Sequence, residues 1–316
     1  MKLKPGIRDL LRMAAGAGVM LVLVLLVLHY QSERSPAQQI ELKARKVELV
    51  GRMRFSLAAA SEAEKSAVLA VTDQDSQTFA NQAHTATAEV EQLRTKLGTI
   101  LAGGAGQKEK ELLARFSECF TDYQRIDRDL LALAVRNTNI KAFALAFGPA
   151  AEAAKETDSA LSRFLAKHAT SPQKQLLLAA SAQAAVLRLE TRLAPHIAEQ
   201  SDQKMDALEA LMIKDDGEVR TALDALDAGL RSESDLAAAR ASYARFSEVR
   251  TQILALSREN TNVRSLAISL DQKRKTMLMC QDGLYALQQE IAGEPAPVAP
   301  SNPRKLKVES STAGFK

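Results

Sequence analysis

The chain has 316 residues, 42 Lys and Arg against 38 Asp and Glu, no Trp, four Tyr and two Cys. Residues 1–12 hold four basic and one acidic side chain and residues 294–316 four and two, which leaves 34 basic against 35 acidic in the body between them. A neutral body with no basic stripe interleaved with aromatics excludes nucleic acid as a partner.

Ala and Leu dominate, and between Ala37 and Ile291 the only prolines are Pro149, Pro172 and Pro195. No stretch alternates apolar and polar residues between turn signals as a sheet requires. The expectation is an all-α protein of about two domains.

In chain order, Lys2, Lys4, Arg8 and Arg12 precede an uncharged apolar run from Met13 to Leu28, followed by His29 and Tyr30. The run is close to the length of a membrane span, and the basic flank keeps the N-terminus inside. Residues 1–12 are therefore expected in the cytoplasm, 13–30 as an inner-membrane anchor, and the rest in the periplasm or outside the cell. A cleaved signal peptide is the competing reading. The Pro in Ser35-Pro36-Ala37 and the long gap from the apolar run argue against it.

The body carries one segment twice. Leu130–Phe147 reads LLALAVRNTNIKAFALAF and Ile253–Leu270 reads ILALSRENTNVRSLAISL, with seven of eighteen positions identical at a single offset of 123. An internal repeat at that separation implies two copies of a domain-sized unit. Upstream, SAVLAVT from Ser66 matches AAVLRLE from Ala184 at an offset of 118. This alignment sets the helix break Thr72–Ser76 against Thr191–Pro195 and puts a five-residue insertion at Lys214–Gly217. Gly103–Gly106 and Gly229–Asp235 give the next break, Gly148-Pro149 and Asp271-Gln272 the last, and Ser171-Pro172 the boundary between copies. The expected architecture is an N-terminal transmembrane helix followed by two tandem antiparallel four-helix bundles, 31–170 and 171–293. A Pro-rich, disordered tail covers 294–316.

The third helix of each copy shows a coiled-coil seam. Tyr123, Ile126, Leu130, Leu133, Asn137, Ile140, Ala144 and Phe147 share a register with Phe246, Val249, Ile253, Leu256, Asn260, Val263, Ala267 and Leu270. Asn137 and Asn260 interrupt it at matching positions, and a buried amide needs a partner. Either the amides fix register or cap a helix, or Asn137, Asn139, Asn260 and Asn262 line a polar cavity that binds a ligand. Cys119 and Cys280 lie in different copies. A disulfide is open to them in an oxidising compartment, although two cysteines in a bundle of this size are more often unpaired. His84, His168 and His196 lack metal-ligand spacing, no haem-attachment, nucleophile-elbow or phosphate-loop motif occurs, and no cofactor or enzyme activity is expected.

Tyr123 followed by LLALAVRNTN and LAFGPAAEAA, with AEKSAVLAVTDQDSQTFANQA from Ala63 to Ala83, resembles the four-helix-bundle sensor domains of bacterial methyl-accepting chemotaxis receptors and their longer two-module relatives. The resemblance implies an extracytoplasmic bundle that dimerises, binds small molecules between helices and relays a shift towards the membrane. After Gly293 the sequence shows no second span, HAMP module or signalling hairpin. The expectation is therefore a sensor, chemotaxis-receptor-like, that acts in signal transduction through a membrane partner. A non-sensory periplasmic scaffold or tether is the alternative. Family members that bind carboxylates use arginines, but Arg136 aligns with Glu259 and Val135 with Arg258, so no ligand arginine is carried over.

Overall fold

The computed structural model describes Val22 and residues 36–104, 106–170, 172–228 and 233–293. The expected cytoplasmic stretch 1–12, the anchor 13–30 apart from Val22, and the tail 294–316 lie outside the described residues. Among the described residues every element is helical. In chain order they are α1 (Pro36–Leu69), α2 (Asp73–Ala102), α3 (Gln107–Ala134), α4 (Thr138–Leu145), π1 (Ala146–Ala150) and α5 (Ala151–Lys167). The second copy gives α6 (Gln173–Ala198), α7 (Asp202–Asp227), α8 (Ser234–Glu259), α9 (Thr261–Ile268), π2 (Ser269–Lys273) and α10 (Arg274–Ala292).

The helices do not group by copy. α1 and α2 form a hairpin, α3 lies against it, and the fourth helix packed with them is α10, from the far end of the chain. Their shared core contains Met53, Leu57, Val90, Leu97, Phe116, Phe120, Tyr123, Leu284 and Leu287. In the same way α6, α7 and α8 pack with α4 and α5, around Phe164, Leu189, Leu193, Val219, Tyr243, Phe246 and Ile253. The contiguous units 31–170 and 171–293 are thus not the units that share a core. Each copy ends by crossing into the other's hairpin, and the two helical runs from α3 to α5 and from α8 to α10 cross midway. Two closed copies would have been joined by one linker, whereas the exchange makes each core depend on both.

The exchange also brings together the two cysteines. Cys119 on α3 and Cys280 on α10 form a disulfide with Cα atoms 5.8 Å apart, a usual spacing for the bond. The balance between paired and unpaired thiols is settled by packing: α10 lies against α3, so residues of different copies share one core.

Three expected breaks fall elsewhere. α6 runs through Thr191–Pro195 to Ala198, and the second hairpin turns at Glu199–Ser201. The caps show why: Thr72 accepts from the Asp75 amide and Ser201 from the Lys204 amide. The hairpins therefore correspond at an offset of 129, not 118. Pro195 sits late in α6 instead of in a first turn. Lys214–Gly217 lies inside α7 and marks no insertion. At Gly148-Pro149 and Asp271-Gln272 the chain winds into π turns and carries on.

The seam holds only up to Leu130 in the first copy. Tyr123, Ile126 and Leu130 are buried, yet Phe147 and Leu270 are among the most exposed apolar residues. The buried set shifts to Ala142, Ala146, Ala150 and Ala153 after Asn137, and to Ser265, Ser269 and Lys273 after Asn260. A left-handed residue followed by a π turn changes the helix phase, so the heptad register cannot pass through it.

Among the described residues one helical run, Gln107–Lys167, is long and apolar enough by length and composition to cross a membrane, and 44% of its apolar window is buried inside the protein. This run is α3 to α5, which passes through both cores.

Candidate functional site

The conformation of two asparagines sets the site. Asn137 and Asn260 adopt φ of 50° and 52°, the only non-glycine residues with positive φ among those described. Asn tolerates this left-handed well better than residues with larger or branched side chains. Asn260 ends one helix and begins the next, whereas Asn137 begins α4 two residues after Val135 caps α3; the Lys141 amide donates to the Asn137 carbonyl and the Arg264 amide to the Asn260 carbonyl, both at 3.0 Å.

A new helix start leaves amide donors without intrahelical partners. Here each copy supplies the partners for the other. The Thr138 amide donates to Thr261 Oγ1 (3.2 Å) and the Thr261 amide to Thr138 Oγ1 (3.1 Å). The Asn139 amide donates to Asn262 Oδ1 (3.1 Å) and the Asn262 amide to Asn139 Oδ1 (3.2 Å). All four bonds join residues 123 apart, so a local pseudo-twofold axis passes between Thr138 and Thr261. The side-chain amides repeat the exchange: Asn139 Nδ2 donates to Asn260 Oδ1 (2.7 Å) and Asn262 Nδ2 to Asn137 Oδ1 (2.9 Å).

The remaining donors reach the hairpin turns. Asn137 Nδ2 donates to Asp73 Oδ1 and Ser76 Oγ, each at 3.1 Å. Asn139 Nδ2 donates to the Ile197 carbonyl and Asn260 Nδ2 to the Glu199 carbonyl, both at 2.8 Å. The four residues singled out in sequence, Asn137, Asn139, Asn260 and Asn262, thus meet at one place. Their side-chain oxygens and nitrogens are engaged with one another, with backbone and with the two hairpin turns. A ligand would have to displace these bonds.

Residue types alone did not reveal two features of the rim. Arg136 and Glu259, equivalent in the repeat and opposite in charge, form an ion pair across the axis. A dyad brings like positions together, so identical charges there would repel. The charge mismatch in the repeat was the available signal. Lys141 pairs with Asp73 at 2.9 Å, and with Asn137 it holds the Asp73 carboxyl below its ordinary range, the Lys141 bond being the larger cause.

Beside the crossing, His196 is fully buried with Nδ1 2.8 Å from Ser257 Oγ and Nε2 2.8 Å from Glu209 Oε1. The trio has the residue types of a hydrolytic triad, but Ser257 is also fully buried and its hydroxyl donates to the His196 carbonyl (3.0 Å), so it offers no accessible nucleophile. Burial pushes the imidazole below its ordinary range, against the opposing Glu209 bond. Arg258 donates to Glu209 at 2.7 Å and, ahead of His196, keeps that carboxyl low.

No family model matches the chain, and no curated protein matches it.

A second polar group lies in the first core. Glu64 on α1, Asp127 and Tyr123 on α3, and Lys273 on π2 are all nearly or fully buried. Lys273 pairs with Asp127, and its Nζ stands 3.1 Å from the centre of the Tyr123 ring. Neither carboxyl oxygen of Glu64 has a hydrogen-bond partner, nor has the Tyr123 hydroxyl.

Proposed function

We propose that this protein is a membrane-anchored, extracytoplasmic helical module of the chemoreceptor-sensor type, acting through a membrane partner. Its two helix groups are read as stacked four-helix bundles, and the Asn-Thr-Asn crossing as the coupling between them. The observation that carries the proposal is reciprocity: each bundle borrows its fourth helix from the other copy, and the helix starts cap one another. A displacement of α10 in one bundle must then move α8 in the other or break the crossing. In this reading Asn137, Asn139, Asn260 and Asn262 transmit; they do not hold the ligand.

Two observations support the extracytoplasmic placement. The basic flank before the apolar run fits an N-terminus kept inside, and a disulfide between the copies fits an oxidising compartment. A small-molecule site is sought in the groove of about 500 Å³ between α5 and α6, lined by Ala154, Lys155, Asp158, Gln183, Leu187 and Glu190.

The saturated amides favour one rival, a tether that binds only protein. The test is a thermal-shift screen of the full-length protein in detergent against amino acids, organic acids and other metabolites. A ligand at a hundred times its dissociation constant adds about 2.7 kcal/mol. A hit that Gln183→Leu abolishes, and Asn139→Ala leaves bound but uncoupled from a crosslinked partner, supports the sensor. No hit, together with a partner captured by crosslinking in membranes, supports the tether.

A further inference from the structure

The buried group around Glu64 has an internal control, because the fold contains the same place twice. At the repeat offset of 123, Tyr123 corresponds to Phe246, Asp127 to Arg250, Ser269 to Ala146 and Lys273 to Ala150. Glu64 and Leu193 each stand five residues before the last residue of their helices, α1 and α6. The second core therefore fills the site with Leu193, Phe246, Ala146 and Ala150, all buried, and Arg250 turns to Asp216 at 2.8 Å. An apolar solution exists in the same molecule. Burying unpaired charge is costly, and an ion pair in such a place is often no more stable than apolar packing. The fold alone thus does not demand Glu64, Asp127 and Lys273.

The cluster is placed where a helix can change register. Ser269 and Lys273 are the first and last residues of π2, and π turns are short, strained insertions often found at functional positions. Lys273 reaches Asp127 on α3, its Nζ lies 3.5 Å from the Tyr123 carbonyl, and Ser269 stands beside Glu64 on α1. The charged groups acting on Glu64 come from α1 (Lys65), α3 (Asp127) and π2 (Lys273); those acting on Lys273 are Asp127 and Glu64. With Glu64 neutral the cluster is one balanced ion pair. With Glu64 ionised it carries an uncompensated negative charge in an apolar core.

We propose that Glu64, Asp127, Lys273 and Ser269 form a proton-operated latch: uptake of one proton by Glu64 holds π2 and α10 on α1 and α3, and its loss to solvent loosens them. Burial raises the Glu64 carboxyl above its ordinary 4.5, so the stabilisation is full below that value and is lost as pH rises through the folded-state value. Burial also brings Lys273 down to about 8, with Asp127 opposing, so the ammonium keeps its charge only at pH values well below that. The inference does not depend on the sensory reading.

The test is hydrogen–deuterium exchange on the full-length protein at pH 5.5 and 7, where the Lys273 ammonium stays largely charged, each peptide referred to its unprotected rate at that pH. Peptides spanning 266–280 are expected to gain at least tenfold protection at pH 5.5, while those spanning 143–157 around π1, in the core that holds His196, gain none. Glu64→Gln should hold 266–280 protected at both values, and Glu64→Leu, which copies the second core, should do the same. Equal pH response in both segments, or a response that survives Glu64→Gln, overturns the latch. Should the Leu variant fail to fold, the Gln variant decides.

Discussion

Replacing Asn139 by Leu tests whether the crossing is a structural coupler. The Asn139 side chain satisfies the Ile197 carbonyl, Asn260 Oδ1 and the Asn262 amide, and the residue is only 4% exposed, so water cannot replace it. Three polar groups would lose their partner. At about 1–3 kcal/mol for each orphaned buried group, less what relaxation recovers, the variant should lose roughly 3–5 kcal/mol. Asn262→Leu removes two such bonds and should cost about half as much by the same reasoning. Because the two residues belong to one hydrogen-bond network, the double variant should depart from additivity by about 0.5–3 kcal/mol. Urea unfolding of the full-length protein in detergent, followed by circular dichroism, measures all three. An Asn139→Leu protein within about 0.5 kcal/mol of the parent, or more stable than it, would refute the coupling argument and return these amides to a ligand-binding role.

Three further outcomes follow from the same geometry. Reducing the Cys119–Cys280 disulfide opens a loop of 161 residues and should lower stability by about 2–5 kcal/mol, read as a drop in Tm with reductant that Cys119→Ser reproduces and reductant no longer deepens. At the exposed Arg136–Glu259 pair, Arg136→Glu should cost no more than about 1 kcal/mol, and adding Glu259→Arg should restore it; a larger or unrecovered loss would show that Arg136 does more than pair across the axis. His196 is held below its ordinary 6.5 chiefly by burial, so the unfolded chain takes up the proton first. Stability is then full above about pH 6.5 and falls as pH drops towards the folded-state value. His196→Gln should flatten that part of the stability profile, and an unchanged slope would assign it to other groups.

Much of the architecture was legible in the chain itself. Ala- and Leu-rich composition with three interior prolines required helices, because few breakers allow few turns. The repeated Asn-Thr-Asn marked a polar place in need of partners, because a polar triplet inside an apolar seam must find them, but it did not show that two helical runs cross there. The seam itself was readable as far as Leu130. Beyond Asn137 it was not, because a left-handed residue and a π turn leave no trace in apolar spacing and yet rotate every later side chain. The hairpin alignment at 118 failed for a related reason: helical repeats of Ala and Leu match at several phases, and only the caps at Thr72 and Ser201 fix the true one.

What the sequence by itself determined is therefore the helical class, the duplication and the residues of the crossing, all of which follow from local propensity and from identity at a fixed offset. Which hairpin each fourth helix joins was decided only by the tertiary structure. Apolar spacing and a fixed offset say nothing about which hairpin a fourth helix joins, although the buried faces differ, Ala146 and Ala150 in one copy against Ser269 and Lys273 in the other. The preference comes from contacts between residues 123 positions apart, the mutual capping of two helix starts and the Arg136–Glu259 pair, together with a disulfide across 161 residues. Such contacts exist only once the two copies meet.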